Sequence, residues 1–170
     1  MSGLVPLPWS TVDGKPCYTV PAPDGHSPGP AAALADAWED AQVLAARSVL
    51  GAARVWLASG VRVDGGRLRA GAVRLVWALV HVVRVAEMRG KRLERLDPGE
   101  AARVEMARVL LGHTEDLIIT GNAETCQMRY VLARLVECLT ALVEVAEARG
   151  ALLATPDDGG GARCGKGACG

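Results

Sequence analysis

Residues 74–93 read Arg-Leu-Val-Trp-Ala-Leu-Val-His-Val-Val-Arg-Val-Ala-Glu-Met-Arg-Gly-Lys-Arg-Leu, and residues 134–153 read Arg-Leu-Val-Glu-Cys-Leu-Thr-Ala-Leu-Val-Glu-Val-Ala-Glu-Ala-Arg-Gly-Ala-Leu-Leu. The two stretches align without a gap, and eleven of the twenty pairs are identical. A shorter match precedes them: Ala46-Arg-Ser-Val-Leu-Gly51 resembles Ala107-Arg-Val-Leu-Leu-Gly112, and Gly60 then falls on Gly121. Apolar helices that share a heptad pattern can match by composition alone, but the polar Ala-Glu-x-Arg-Gly ending recurs in register too. A duplicated helix pair is therefore expected. One pair leaves an apolar face open, and stacking a second copy against it buries both.

The expected fold class is all-α, a four-helix bundle built from this duplicated helix-pair unit. Half of the 170 residues are apolar, Phe is absent, and Ala, Val and Leu supply most of the bulk; that favours closely packed helices over a sheet sandwich. The first helix is expected over 31–59, with Asp36, Asp40, Arg47 and Arg54 on one face and Trp38, Ala45, Val49, Ala52 and Trp56 turned to the core. Asp64-Gly65-Gly66 breaks the chain, and the second helix runs to about Leu96. Its seam is Leu68, Ala72, Leu75, Leu79, Val82 and Ala86, spaced four, three, four, three and four. Asp97-Pro98-Gly99-Glu100 starts the third helix: Asp can cap the free amides, Pro suits the first turn, and Glu follows three residues after the cap. That helix is expected to reach Thr120, with a bend or interruption at Gly112. Gly121-Asn122 precedes the fourth helix, which extends to about Leu153 and repeats the seam as Met128, Leu132, Leu135, Leu139, Leu142 and Ala146.

Seven of the nine prolines lie in the first 30 residues, which rules out a continuous helix there. Asp13-Gly14 between Trp9 and Tyr18 suggests a small hairpin, since Gly14 tolerates the positive φ of such turns. A lone hairpin is marginal, so Trp9 and Tyr18 are expected to pack on the helices. The organisation is thus a Pro-rich arm over 1–30, a helical domain over 31–154 divided into pairs 31–96 and 97–154, and a flexible Gly-rich tail over 155–170.

Nineteen Lys and Arg balance nineteen Asp and Glu, so no global field favours nucleic acid or an anionic membrane. The apolar stretch Leu75–Val83 is far short of the roughly 20 residues a membrane span needs. Cys17, Cys126, Cys138, Cys164 and Cys169 form an odd set without framework spacing, and the N-terminus lacks a signal-like basic and apolar pattern. A reducing cytoplasm is expected. Cys126 and Cys138, about 18 Å apart along one helix, are read as small core residues.

No nucleotide loop, zinc-protease helix, nucleophile elbow or Cys-x-x-Cys is present, and His26, His81 and His113 have no local companions for nucleophilic catalysis. The expectation is a non-enzyme without a cofactor. His81 reads as a solvated surface residue. Cys164 and Cys169 could hold a soft metal, with Lys166 favouring thiolate, but zinc normally wants four ligands and only two lie together. The aligned helices differ in charge: 62–95 holds nine basic and three acidic residues, 100–154 five basic and eight acidic. Arg74, Trp77, His81 and Arg84 thus form a basic face, with Glu137 and Glu144 at the positions of Trp77 and Arg84. Such faces can be ordinary solvated surfaces or can dock by charge complementarity, within the chain or between two copies. A basic cluster, Arg89, Lys91, Arg92 and Arg95, ends the second helix and complements its dipole.

The stretch Pro8-Trp9-Ser10-Thr11-Val12-Asp13-Gly14-Lys15-Pro16-Cys17-Tyr18 together with the Ala-Glu-x-Arg-Gly ending resembles small uncharacterised proteins of high-GC actinomycetes, some linked to phages or plasmids. The resemblance implies no activity and no site, only a regulatory or mobile-element accessory setting. The leading expectation is a helical protein–protein interaction module, self-associating as a homodimer or binding a protein partner. The second is a nucleic-acid-associated accessory using the basic face, and the third a thiol or zinc protein using the tail.

Overall fold

The computed structural model describes residues 4–20, 29–59, 64–93, 97–121 and 123–154. Two strands, β1 (Val5–Ser10) and β2 (Pro16–Thr19), precede four helices, α1 (Pro30–Ala58), α2 (Gly65–Arg92), α3 (Pro98–Thr120) and α4 (Thr125–Ala154). This is the all-α four-helix arrangement expected. The tail over 155–170, with Cys164 and Cys169, lies outside the described residues, as does His26.

Local chemistry sets the helix ends. The Asp64 carboxylate accepts from the Arg67 amide at 2.9 Å to start α2, and the Asp97 carboxylate accepts from the Gly99 amide at 2.8 Å to start α3. Each answers amides that have no carbonyl one turn back. Gly121 closes α3 in the left-handed region, φ 69°, where a Cβ is disfavoured. Gly112 does not interrupt α3; the helix is continuous through it.

α2 and α4 lie side by side and point the same way. Gly71 and Leu132 are neighbours near their starts, and Arg89 reaches Ala146 near their ends. α1 and α3 each pack against both of them. The expected seams occupy the interface: Leu68, Ala72, Leu75, Leu79, Val82 and Ala86 of α2 and Met128, Leu132, Leu135, Leu139, Leu142 and Ala146 of α4 are all buried.

The face of α1 differs from the expectation. Its buried stripe is Ala35, Glu39, Val43, Ala46, Leu50 and Ala53, while Ala45 and Ala52 are exposed and Trp38 and Trp56 sit at the rim. The stripe keeps helical spacing but has a carboxylate near its start. Asp40, Arg47 and Arg54 are exposed and Asp36 half-buried, as expected of an outer face; the core lies not directly opposite them, as the expectation had it, but beside them, in the buried stripe.

Glu39 is tolerated inside because two guanidinium groups meet it. Arg89 donates from Nε to Glu39 Oε2 at 2.9 Å, from Nη1 to the Ala146 carbonyl at 2.8 Å and from Nη2 to Asp40 at 2.5 Å. Sixty residues on, Arg149 donates to Glu100 from Nε at 3.1 Å and Nη2 at 2.8 Å, and from Nη1 to the Ala86 carbonyl. The two arginines thus cross between α2 and α4, each ending on the other helix's alanine carbonyl. Glu147 pairs with Arg47 of α1 at 2.6 Å, and Glu87 with Arg108 of α3 at 2.5 Å. These surface pairs add little energy, yet they repeat the same relation. Ala-Glu-x-Arg-Gly is therefore a packing motif: Ala lends its carbonyl, Glu pairs outward and Arg crosses. At Gly150 a Cβ would fall 2.4 Å from Arg89 Nη1, so only glycine leaves room there.

The hairpin forms as expected. β1 and β2 are antiparallel, the Gly14 amide donates to the Thr11 carbonyl at 2.9 Å, and Gly14 has φ 76°. It packs through β1 on α1 and α2, burying Leu7 and Pro8. Trp9 is half-buried there, whereas Tyr18 faces outward with 52% of its surface exposed, contrary to the expectation that both rings pack on helices. Side chains alternate along a strand, and β2 presents Cys17 and Thr19 inward of Tyr18.

Leu79 and Leu139, both fully buried at aligned positions, should respond alike to truncation. Leu79→Ala and Leu139→Ala are each expected to cost about 2–5 kcal/mol in urea unfolding, as buried leucines do, with the two losses similar. Loss at only one of them would show that the aligned positions do not share an environment.

Candidate interaction surfaces

The α1–α2 side carries the basic face expected from sequence, but as a built surface. The Trp77 ring stacks on His81 at 6.0 Å between centroids and 27° between planes, and Trp38 of α1 meets His81 edge-on at 6.2 Å and 73°. His81 is consequently half-buried between two indoles, not a solvated histidine. Trp77 caps this stack and is 63% exposed. Arg74 is exposed one turn before it. Arg84 is half-buried and points to the hairpin, its Nη2 lying 3.4 Å from Ser10 Oγ. Arg74, Trp77 and His81 thus present one continuous face, and Arg84 is drawn toward β1.

The α3–α4 side is its counterpart and is built differently. There a groove of about 360 Å³ runs between the helices, lined by Met106, Val109 and Leu110 of α3 and by Glu137, Cys138 and Ala141 of α4, with Arg103, His113 and Arg134 at its edges. The aligned positions explain the space. Trp77 and His81 correspond to Glu137 and Ala141, so the ring stack that fills the α1–α2 side has no equivalent here. Met106 and Val109 stand where α1 has Ala45 and Ser48. Met106 is 68% exposed, and large apolar side chains on a rim with a polar border mark contact surfaces more than scattered ones do. Glu137 takes a 2.7 Å bond from Arg134 on its own helix, and the Arg134 guanidinium also lies 5.3 Å above the Tyr130 ring. Glu144 is exposed. The basic and acidic sets therefore lie on opposite sides of the bundle, and no ion pair joins them among the described residues.

A third cluster lies where α1 begins and α2 ends. Arg92 donates to Asp36 at 2.8 Å and also to Glu39, so Arg89 and Arg92 are both held by α1 carboxylates. Of the basic cluster noted in the sequence, only Lys91 remains exposed among the described residues. Glu39 is fully buried, and its Oε1 has no partner. Burial pushes its carboxyl above the ordinary 4.5, and the two guanidinium groups draw it back only in part. The neighbouring carboxylates hold Arg89 above its own ordinary value against the opposing effect of burial.

The cysteines divide. Cys138 is half-buried against the core at the floor of the groove, where burial raises its thiol. Cys126 is exposed, with its sulfur 3.4 Å from a Glu124 oxygen; it is not a core residue, since it lies in the first turn of α4 with Thr125 and Gln127 exposed on either side. Among the described residues no group of three or more His, Cys, Asp and Glu is placed to hold a metal ion, and no helix is long and apolar enough to cross a membrane. Compared with known proteins, the chain matches no family model, no curated protein and no solved structure.

Sequence reasoning singled out Trp77 and Glu137 but missed Trp38 as the third ring of the stack and Met106 and Val109 as a groove wall. A signal existed for the latter: α3 carries apolar residues on both sides, unlike α2. For Glu39 the signal lay 50 residues away in Arg89. The raised carboxyl of Glu39 gives a pH test. Between 4.5 and its higher folded value the native state keeps a proton that the unfolded chain has released, so this group's contribution to stability is present below 4.5 and is lost as pH rises through the folded value. Glu39→Gln has no such proton. The stability of Glu39→Gln relative to the natural chain should rise as pH is raised above 4.5 in urea titrations; a constant difference would mean that Glu39 is not raised.

Proposed function

We propose that this chain is a non-enzymatic, helical protein–protein interaction module that works through the groove between α3 and α4, in a reducing cytoplasm. The carrying observation is that groove: about 360 Å³, walled by exposed Met106 and Val109 and floored by Cys138 and Ala141. The corresponding side of the first pair is occupied by the Trp38, His81 and Trp77 rings with the hairpin packed beside them. Apolar walls with a few polar groups at the border are what an incoming side chain from a partner needs: area to bury and charges to set orientation. No nucleophile with a base and an orienting group is assembled in the groove: its carboxylate, Glu137, is taken up by Arg134, and among the described residues no hydrogen bond links it with His113 or Cys138.

The reading includes an origin for the asymmetry. We take the chain to be a duplicated helix pair, supported by the reciprocal Arg89 to Ala146 and Arg149 to Ala86 bonds and by the Arg47–Glu147 and Arg108–Glu87 pairs. On this view the shared core was kept while the outer sides changed, one becoming filled and the other open. The internal use of Arg89 and Arg92 weighs against phosphate binding by that cluster, because the donors of Arg89 and both terminal nitrogens of Arg92 are already taken by Asp36, Glu39, Asp40 and the Ala146 carbonyl.

Site-specific photocrosslinking in the native cell tests the proposal. A photoreactive residue at Met106 or Val109 should give a protein adduct, and one at Glu115, exposed on α3 but outside the groove lining, should not. Adducts of equal strength from all three positions, or from none, would remove the groove as a contact site.

A further inference from the structure

The chain carries on its α1–α2 side the feature that its α3–α4 groove lacks. We infer that the groove receives the Trp77 face of a second copy of this chain, so that copies join head to tail. The inference rests on the interaction reading above and names the partner.

Three observations converge on that occupant. The first is shape. Trp77 is the most exposed of the four tryptophans, at 63%, and its ring is stacked on His81. At the aligned positions α4 has Glu137 and Ala141, which leave the groove open to about 360 Å³. One side is a knob and the other a recess, and the same substitutions create both. A ring already fixed by stacking loses little freedom on docking, which favours it as an anchor.

The second observation is charge. Ala141 on the groove floor is flanked on its own helix by Glu137 four residues before and Glu144 three residues after, and Trp77 is preceded by Arg74 three residues before. Whichever way the incoming α2 runs, Arg74 falls beside one of the two carboxylates. Glu144 and Arg74 are exposed and have no ion-pair partner among the described residues. Arg103 and Arg134 border the groove as well, but Arg134 is already turned onto Glu137 and Tyr130, which leaves Glu144 as the stronger partner for Arg74.

The third observation is placement. α1 and α3 flank the central α2–α4 contact, so the knob and the recess lie on opposite sides of the bundle. Two copies cannot satisfy both contacts at once in a closed symmetric dimer. The contact is heterologous, and each added copy leaves a knob at one end and a recess at the other. The assembly therefore grows past two or closes as a ring, which replaces the homodimer expected from sequence.

Sedimentation velocity on the full chain reads this directly. The natural chain should gain mass with concentration beyond two copies. Trp77→Ala should weaken association at least about tenfold, as loss of a central aromatic anchor does, and Ala141→Trp, which fills the recess, should do the same. Met106→Arg, on an exposed wall, serves as a second recess variant should Ala141→Trp fail to fold by circular dichroism. Mixing is decisive: Trp77→Ala keeps the recess and the recess variant keeps the knob, so the mixture should form a one-to-one dimer and nothing larger. A chain that stays monomeric up to its solubility limit overturns the inference, as does association unchanged in both variants or a mixture with no dimer. The photocrosslinks separate the two levels: an adduct at Met106 with a different protein, beside a monomeric chain, would refute self-association while upholding the groove.

Discussion

The bundle depends on two arginines that cross. Arg89 and Arg149 are among the most buried side chains in the protein, and a guanidinium has no neutral form to retreat to, so each must find full pairing inside. Each does so on two elements at once. Its Nη1 ends on the backbone of the neighbouring central helix and its remaining donors on carboxylates of an outer helix, Glu39 and Asp40 for Arg89 and Glu100 for Arg149. Sliding α2 along α4 by one turn would strand both arginines. Rotating α1 or α3 would strand Glu39 or Glu100. The apolar seams supply most of the burial, but Leu and Val seams tolerate several registers. The crossed arginines reject all but one, in the way a buried polar group can fix register in a helical assembly.

This constraint also explains which parts of the fold could be read from the chain. The α2 and α4 seams were legible because their spacing is apolar throughout, and the α3 start because Asp97-Pro98 has a local mechanism. The Asp13-Gly14 turn was legible for the same reason. All three are decided by residues close in sequence. The orientation of α1 was not, since its inward stripe contains Glu39, and what makes a buried glutamate acceptable is Arg89, 50 residues later. The Ala-Glu-x-Arg-Gly repeat was visible as a pattern, but its meaning as a crossing lock needed the two helices side by side.

The candidate site was legible in part, for a different reason. Charge differences between aligned positions pointed to Trp77 and Glu137, and they do lie on the outer sides. What the sequence could not supply is that a single substitution has two consequences in space. Replacing a ring by Glu137 changes charge, and it also removes volume from a groove whose other wall, Met106 and Val109, lies on a different helix. The role of His81 was hidden similarly: its burial comes from Trp38, which a one-helix reading cannot bring near. Arg84 looked equivalent to Arg74, yet only Arg74 is free of the hairpin, because β1 reaches α2 at Ser10.

The crossed lock further determines where change can accumulate. Altering Arg89 alone leaves the buried Glu39 with one of its two guanidinium partners, and altering Ala146 or Gly150 disturbs Arg89 from the other helix pair. Each crossing arginine is thus coupled both to a carboxylate of its own pair and to a carbonyl of the opposite pair, and a viable change at it needs a simultaneous answer in both. The outer sides carry no such tie. Trp77 touches His81 and Glu137 touches Arg134, each within its own helix, so one pair can gain a ring while the other loses one without cost to the core. A bundle held by reciprocal contacts will therefore stay symmetric inside and diverge outside, and its two outer sides are the places where a knob and a recess can arise on one chain.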